Sequence, residues 1–374
     1  MSQLRGGAQA IGLSLLAILA AFVVGAVIIL VTGGNPITAY RALIDGSLGS
    51  DRAIAETLIA AAPLALGGLA FAVASRAGLF NIGVEGQLFI GSLAAGLVAA
   101  TDLGLPAVLH LTIVVIIAMV FGGLWGAIPG ALLARTGASV VITTIMLNYI
   151  SYRISSYVVR QDDLLPVDPE QSGTERSLDS ARFDILVDGT RLHIGVALVP
   201  IAAVAVWLVL FRTTFGYRLR TVGLSRGASD YAGISWGWMV VVTMALSGAL
   251  AGLAGATDLA GVSGRHTNPN PGYGFTAIAV ALAGRNHPTG VVLAALLFGM
   301  LSSGAIRMQS VAGTSSQLVE ILQALVILAV AATGAFTHFK LGRFLSRGKP
   351  LAPAGNSGVG TTGTAGTQPA ADQA

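Results

Sequence analysis

The chain is 374 residues long, 54% hydrophobic and only 10% charged, with a mean hydropathy of +0.78 and a formal charge of +4. An average soluble domain carries about 25% charged residues, so the composition excludes an ordinary soluble protein and indicates a polytopic, all-α membrane protein. The absence of cysteine excludes disulfides, thiolate metal sites and a cysteine nucleophile.

Residues 1–7 form a short polar head, and Ala8 to Val31 is apolar over the length that crosses about 30 Å of hydrocarbon. That run is longer than the roughly 7–15 apolar residues of a secretory signal, so it reads as a retained first helix. A polar segment, Thr32 to Glu56, precedes a second span near Thr57–Ser75 that ends at Arg76. The stretch Phe80-Asn81-Ile82-Gly83-Val84-Glu85-Gly86-Gln87 follows and leads into Leu88–Ala100. A turn at 101–106 opens a long span to about Leu133, and Val140 to Tyr157 crosses again.

Residues 160–192 form the one substantial polar insert and hold eight of the seventeen acidic residues. Within it, Asp188-Gly189 sits between short alternating runs, a β-hairpin signal. Ile194–Phe211 is the next span, then a basic loop at 212–235 and a span at Trp236–Ala256. A polar loop, Asp258–Gly272, leads to a short apolar piece, Phe275–Ala283. Gly290–Leu301 and Leu318–Phe336 complete the set. From Thr337 the chain is basic, then rich in Gly, Thr, Ala and Pro, a composition expected to stay disordered.

The organisation expected is therefore a transmembrane domain over 1–336, with about ten transmembrane helices, some short or broken, in an inverted repeat, and a cytoplasmic tail at 337–374. An even number of spans puts both termini on one side. The basic 212–235 loop and the basic start of the tail place that side in the cytoplasm, with the 160–192 insert outside.

A carboxylate and two amides between apolar runs are costly at membrane depth unless they face protein or a water-filled path. The plainer account of Phe80–Gln87 is a loop at the membrane surface. The functional account is a helix interruption lining a path. A second interruption runs from Gly272-Tyr273-Gly274-Phe275 to Gly284-Arg285-Asn286-His287-Pro288, around an apolar run too short to span. Paired interrupted segments are the pattern of a transporter pathway. Gly122, Gly126 and Gly130, and likewise Gly248 and Gly252, fall on one helical face at small-xxx-small spacing, which reads as helix packing.

In the 212–235 loop, Ser225 is a helix-start residue amid small residues and one aromatic, consistent with a short docking helix. The other account is a cytosolic loop whose arginines set topology. No phosphate-binding G-x-x-x-x-G-K-[ST] is present, and the five histidines are scattered without ligand spacing, so no metal site and no catalytic set is expected.

With Thr144-Ile145-Met146-Leu147-Asn148-Tyr149 and Gly223 to Gly233, the two interruptions resemble the permease family of bacterial ABC importers for simple sugars and nucleosides, the ribose/branched-chain amino acid type, over about residues 55–335. The resemblance implies a permease subunit of the bacterial plasma membrane that is not an enzyme. It needs no cofactor, because ATP is hydrolysed on partners. It implies a second permease subunit (identical or a sister), two cytosolic ATPase subunits and an extracytoplasmic binding protein. By position, Gly223, Leu224, Ser225, Ala228, Tyr231, Ala232 and Gly233 fall in the ATPase-coupling segment, with Leu224 and Tyr231 as anchors. Asn81, Glu85, Gln87, Asn148 and Phe275 are the candidates for the substrate path; the alternative role for Asn81 and Glu85 is to cap helix ends. The Asn-Ile-Gly-Val-Glu-Gly-Gln wording is nearest to members with a nucleoside-type lipoprotein partner. Branched-chain amino acid permeases share the architecture. The competing classes are an ion-driven secondary transporter, for which only Glu85 and Glu320 qualify as intramembrane ionisable groups, and a membrane enzyme, for which no nucleophile–base pattern stands out.

Overall fold

The computed structural model describes residues 2–161, 165–268, 272–313, 315 and 317–338. Its helices are α1 (Ser2–Val31), α2 (Pro36–Leu48), α3 (Asp51–Arg76), α4 (Val84–Ala100), α5 (Ala107–Thr136) and α6 (Val140–Val158). After the insert come α7 (Leu198–Arg212), α8 (Thr214–Leu224), α9 (Arg226–Tyr231), α10 (Trp236–Asp258), α11 (Tyr273–Ala283), α12 (Pro288–Ala312) and α13 (Gln317–His338). The described residues include a single ladder, β1 (Val167–Asp168) against antiparallel β2 (Gly173–Thr174). The fold is all-α, as expected. Met1–Thr333 forms one body and Gly334–Ala374 a second unit, of which only the end of α13 is described. Apart from residues 337 and 338, the tail expected to be disordered lies outside the described residues.

Among the described residues, five helical stretches are long and apolar enough to cross a membrane: Asp51–Arg76, Ala107–Thr136, Ile194–Arg212, Trp236–Ser263 and Pro288–Ala312. Shorter apolar helices lie at Leu16–Val31, Val84–Ala100, Tyr273–Ala283 and Gln317–Ala329.

Local chemistry shifts several expected boundaries. The polar segment 32–56 is largely helical. Asn35 accepts from the Ile37 and Thr38 N–H groups, Pro36 pre-sets the first turn, and α2 follows. Ser50 then caps α3 by accepting the Ala53 N–H at 3.2 Å, with Asp51 in the first turn, so α3 begins six residues before the apolar run at Thr57. The 212–235 loop holds α8 and α9, and Ser225 ends one and caps the other through the Ala228 N–H at 3.3 Å. The loop expected from Asp258 starts later, because α10 continues as a π-helical turn, Leu259–Ser263, stopped by Gly264 at φ +66°. Around Asp188-Gly189 the hairpin closes as a single bridge, Ile185 to His193, with the Leu186 N–H donating to the Leu192 carbonyl at 2.7 Å and Gly189 at φ +76°.

Helix α3 is the centre of the bundle: every residue from Ala61 to Ala74 is buried, and α10, α11 and α12 pack around it. The most extensive helix pair is α5 with α10. A Cβ on Gly122 would run into the Gly248 carbonyl oxygen and the Gly252 backbone, and one on Gly126 would meet the Met244 carbonyl oxygen at 2.5 Å. The glycine faces read from the sequence are thus the two sides of one seam, where small residues let backbones touch.

Two landmarks fix the ends of the bundle. The insert sits at the C-terminal end of α4, where the Leu178 N–H donates to the Ala99 carbonyl at 2.9 Å. At the other end, Gly223 of α8 packs against Ala77, just past α3.

Candidate functional site

The break between α3 and α4 turns back along α3 instead of leaving the bundle. Asn81 Nδ2 donates to Ser247 Oγ at 2.9 Å, and that hydroxyl donates to the Ala70 carbonyl at 2.7 Å. Ala70 lies six residues before Arg76, about 9 Å along the helix axis. Buried side chains therefore hold α4 so that it starts at depth.

Asn81 and Gln87 pair their amides in both directions: Asn81 Nδ2 donates to Gln87 Oε1 at 3.0 Å, and Gln87 Nε2 donates to Asn81 Oδ1 at 3.2 Å. Asn81 Oδ1 also accepts the Gly83 N–H at 2.9 Å. From α6, Asn148 Oδ1 accepts the Gly86 N–H at 2.9 Å while Nδ2 donates to the Ile82 carbonyl at 3.1 Å. These bonds satisfy N–H groups that the first turn of α4 leaves without helical partners. A Cβ on Gly86 would lie 2.6 Å from Asn148 Oδ1, so glycine there is what lets the amide approach.

Glu85 points to a second helix start. Its Oε2 accepts the Gly274 N–H at 2.7 Å, in the first turn of α11, and its Oε1 accepts the Tyr152 hydroxyl at 3.1 Å. Gly274 has no room for a Cβ, which would strike the Glu85 backbone. The N-termini of two half-length helices thus meet at one carboxylate, the position that a helix dipole favours for negative charge. Toward the insert, a cavity of about 160 Å³ is lined by Ser92, Asp258, His266 and Tyr273 among others. Tyr273 hydrogen-bonds the Asp258 side chain. His266 lies 2.9 Å by Nε2 from Ser155 Oγ and 3.2 Å by Nδ1 from Ser92 Oγ.

Of the expected path residues, Asn81, Glu85, Gln87 and Asn148 come together, all buried, in hydrogen bonds within the chain. Phe275 stands apart, 49% exposed on the outer face of α11. The exposed face of α6, with Tyr149, Ile150 and Tyr157, is a second aromatic surface. Sequence reasoning missed Tyr152 and Ser247. Tyr152 falls four residues after Asn148, on the same helical face, which is the signal that would have found it.

At the other end, Leu224 is 88% and Tyr231 98% exposed, and Ser225, Ala228, Ala232 and Gly233 are exposed beside them. Gly223 is not part of that surface. It turns inward because its backbone touches Ala77, where a Cβ would come within 2.8 Å. Arg226 lies 4.3 Å above the Trp236 ring, tying α9 to the start of α10.

In the insert, His193 is buried against Phe183, ring centroids 5.6 Å apart, and its Nδ1 has no hydrogen-bond partner. Burial pushes its pKa down to about 4. Arg191, two residues before, donates to Glu56 of α3 through Nε at 2.9 Å. Among the described residues no group of three His, Asp or Glu side chains is placed to hold a metal ion.

Residues 53–331 match the family described as branched-chain amino acid transport system / permease component. The chain is 41% identical over 343 residues to the guanosine ABC transporter permease protein NupP of Bacillus subtilis (strain 168), covering 89% of this chain and 96% of that one. It is 39% identical over 327 residues to the nucleoside ABC transporter permease protein NupB of Lactococcus lactis subsp. cremoris (strain MG1363), covering 85% and 89%. The glucose ABC transporter permease protein TsgB13 of Haloferax volcanii is 36% identical over 366 residues, covering 93% and 94%.

Proposed function

We propose, from the premise that this chain belongs to the branched-chain amino acid transport system / permease component family, that it is the membrane subunit through which an ATP-driven importer moves a nucleoside. As a member of that family with these helices, it is a multi-pass membrane protein. The finer reading is that two permease subunits, this chain with a copy or a sister, form the path in the bacterial plasma membrane, with both termini cytoplasmic. Two cytosolic ATPase subunits drive it, and an extracytoplasmic binding protein delivers the solute to the insert end. The chain itself hydrolyses nothing and needs no cofactor.

The observation that carries this reading is the α8–α9 surface. Leu224 and Tyr231 are large, apolar-bodied side chains standing almost fully in the open on two short, capped helices. Such anchors fit a groove on a partner. Their place at the end of α3 opposite the insert suits a motor bound on the far side of the membrane from solute delivery.

Two relatives named for guanosine or nucleosides favour a nucleoside over a hexose. At the Glu85 junction, Asn81, Glu85, Gln87 and Asn148 frame the path by fixing the two half-helices. Phe275 and the α6 aromatics are the side chains that face the solute, where an aromatic ring can stack on a base.

The test is reconstitution of this chain with its neighbouring ATPase and binding protein in liposomes, following labelled guanosine and glucose. ATP-dependent guanosine uptake that disappears in Leu224→Asp/Tyr231→Asp, together with ATPase co-purification, is expected. Uptake driven by an ion gradient without the ATPase would overturn the motor assignment. Glucose uptake alone would overturn the substrate.

A further inference from the structure

The half-helix α11 is gripped at both ends by the same ten-residue stretch of the chain, Arg76 to Glu85. At its start, Glu85 Oε2 holds the Gly274 N–H. At its finish, Arg76 donates through Nε and Nη2 to the Asn286 carbonyl at 3.1 and 3.0 Å, and Asn286 Nδ2 donates to Ser75 Oγ at 2.8 Å. Arg76 and Glu85 flank the α3–α4 break. A carboxylate meets the N-terminus of α11 and a guanidinium meets a carbonyl just past its C-terminus, so both charges match the helix dipole.

The finishing turn has an unusual composition. The Asn286 N–H returns to the Ala281 carbonyl and the Arg285 N–H to the Leu282 carbonyl, the bond pair of a Schellman ending. Glycine is the usual left-handed residue there; instead Arg285 and Asn286 follow one another at φ +54° and +52°. Consecutive left-handed non-glycine residues persist only where their surroundings over-determine them, and the Arg76 grip supplies that constraint.

The same spot is joined to the α8–α9 surface. A Cβ on Gly223 would strike the Arg76 carbonyl oxygen and the Ala77 backbone, so α8 packs directly on the end of α3. Phe211, at the end of α7, lies under two guanidiniums, Arg76 at 5.6 Å and Arg220 of α8 at 5.3 Å, with the His287 ring 5.5 Å from its own. A displacement of α8 therefore acts on the break and on the α11–α12 turn together. Helix α11, about 16 Å long, is a stiff link from there to Glu85.

We propose that the α3–α4 break and α11 move as one clamped unit that carries motion of the α8–α9 surface to the Glu85 junction, with Arg76 as its positioning residue. This rests on the reading of the chain as an ATP-driven permease.

The chain has no cysteine, so a Ser75→Cys/Asn286→Cys pair makes a unique, reversible cross-link across the grip. The readout is solute moved per ATP hydrolysed in the complete reconstituted transporter. Arg76→Gln is expected to lower that ratio about tenfold while the complex stays assembled and still hydrolyses ATP. In the triple variant, oxidation is expected to restore the ratio and reduction to remove it again. With Arg76 present, the oxidised pair stays coupled. An unchanged ratio in Arg76→Gln, failure of oxidation to restore it, or a cross-link that stops uptake with Arg76 present would each overturn the clamp. If Arg76→Gln does not assemble, Arg76→Lys, which keeps the charge but loses the two-pronged donor, is read by the same ratio. A wild-type complex that fails to couple ATP to uptake counts against the function, not the clamp.

Discussion

Glu85 and Gly274 are 189 residues apart in the chain, and the carboxylate of one receives the backbone N–H of the other at 2.7 Å. That bond joins the starts of α4 and α11, and it gives the Gly274 N–H the acceptor that the first turn of a helix cannot supply. Because the Tyr152 hydroxyl shares the same carboxylate, one side chain satisfies two donors from two different helices.

Removing Glu85 should therefore cost more than the bonds themselves. Glu85→Ala leaves the Gly274 N–H and the Tyr152 hydroxyl without their acceptor, about 3 kcal/mol, or roughly 4 °C in Tm for a chain of this length. Glu85→Gln keeps an acceptor for Gly274 and should lose less than half of that. Thermal melting of the purified chain in detergent checks both, and equal losses would show that the bonds matter less than the packing.

Gly274 and Phe275 are neighbours with opposite expectations. Gly274→Ala forces a methyl into the Glu85 backbone, where nothing flexible can give way, and is expected to lose about 3 kcal/mol. Phe275→Ala, at a half-exposed position, should change stability by no more than about 0.5 kcal/mol. Its effect should fall on the KM for uptake. A stable Gly274→Ala protein would contradict the close approach.

Asn81 and Gln87 should behave as a unit. Asn81→Leu leaves the buried Gln87 amide without its partner, and Gln87→Leu strips Asn81 of the reciprocal bonds while its bonds to Ser247 and the Gly83 N–H remain; the double change removes both amides. The double mutant is expected to be more stable than the sum of the singles predicts, by about 1–2 kcal/mol. Strict additivity in a melting experiment would mean that the reciprocal bonds carry no coupling.

His193 gives the insert a pH dependence whose sign follows from its lowered pKa. Above pH 6.5 the ring is neutral both folded and unfolded. Between pH 6.5 and about 4 only the unfolded form takes the proton, so the insert loses stability as pH falls and the loss levels off below about 4. Proteolysis across residues 182–194 should quicken over that window and should lose the pH dependence in His193→Phe.

Composition and apolar run length were enough to read an all-α membrane chain, because hydrocarbon thickness is a constraint on length alone. The glycine seam was legible for the same kind of reason: spacing puts Gly122 and Gly126, or Gly248 and Gly252, on one face whatever they meet. The polar stretch at Asn81–Gln87 stood out as costly. That its amides face each other, with Asn148 bonding the backbone beside them, was not legible, since such pairing depends on where the break folds. Helix α2 was hidden because its start is made by Asn35 and Pro36 rather than by an apolar run. The role of Arg76 was hidden too. An arginine at the end of a span reads as a topology signal, and its carbonyl partner, Asn286, lies 210 residues further on.

The seam between α5 and α10 also has a consequence in time. Its two faces are made more than a hundred residues apart in the chain. At about 5–20 residues per second of synthesis, α5 waits on the order of ten seconds for its mate. During that interval a glycine-lined helix must sit in the bilayer beside lipid or an assembly factor. A truncated chain ending before Trp236 is therefore expected to be recognised as an orphan by membrane quality control, with its half-life rising once α10 is included.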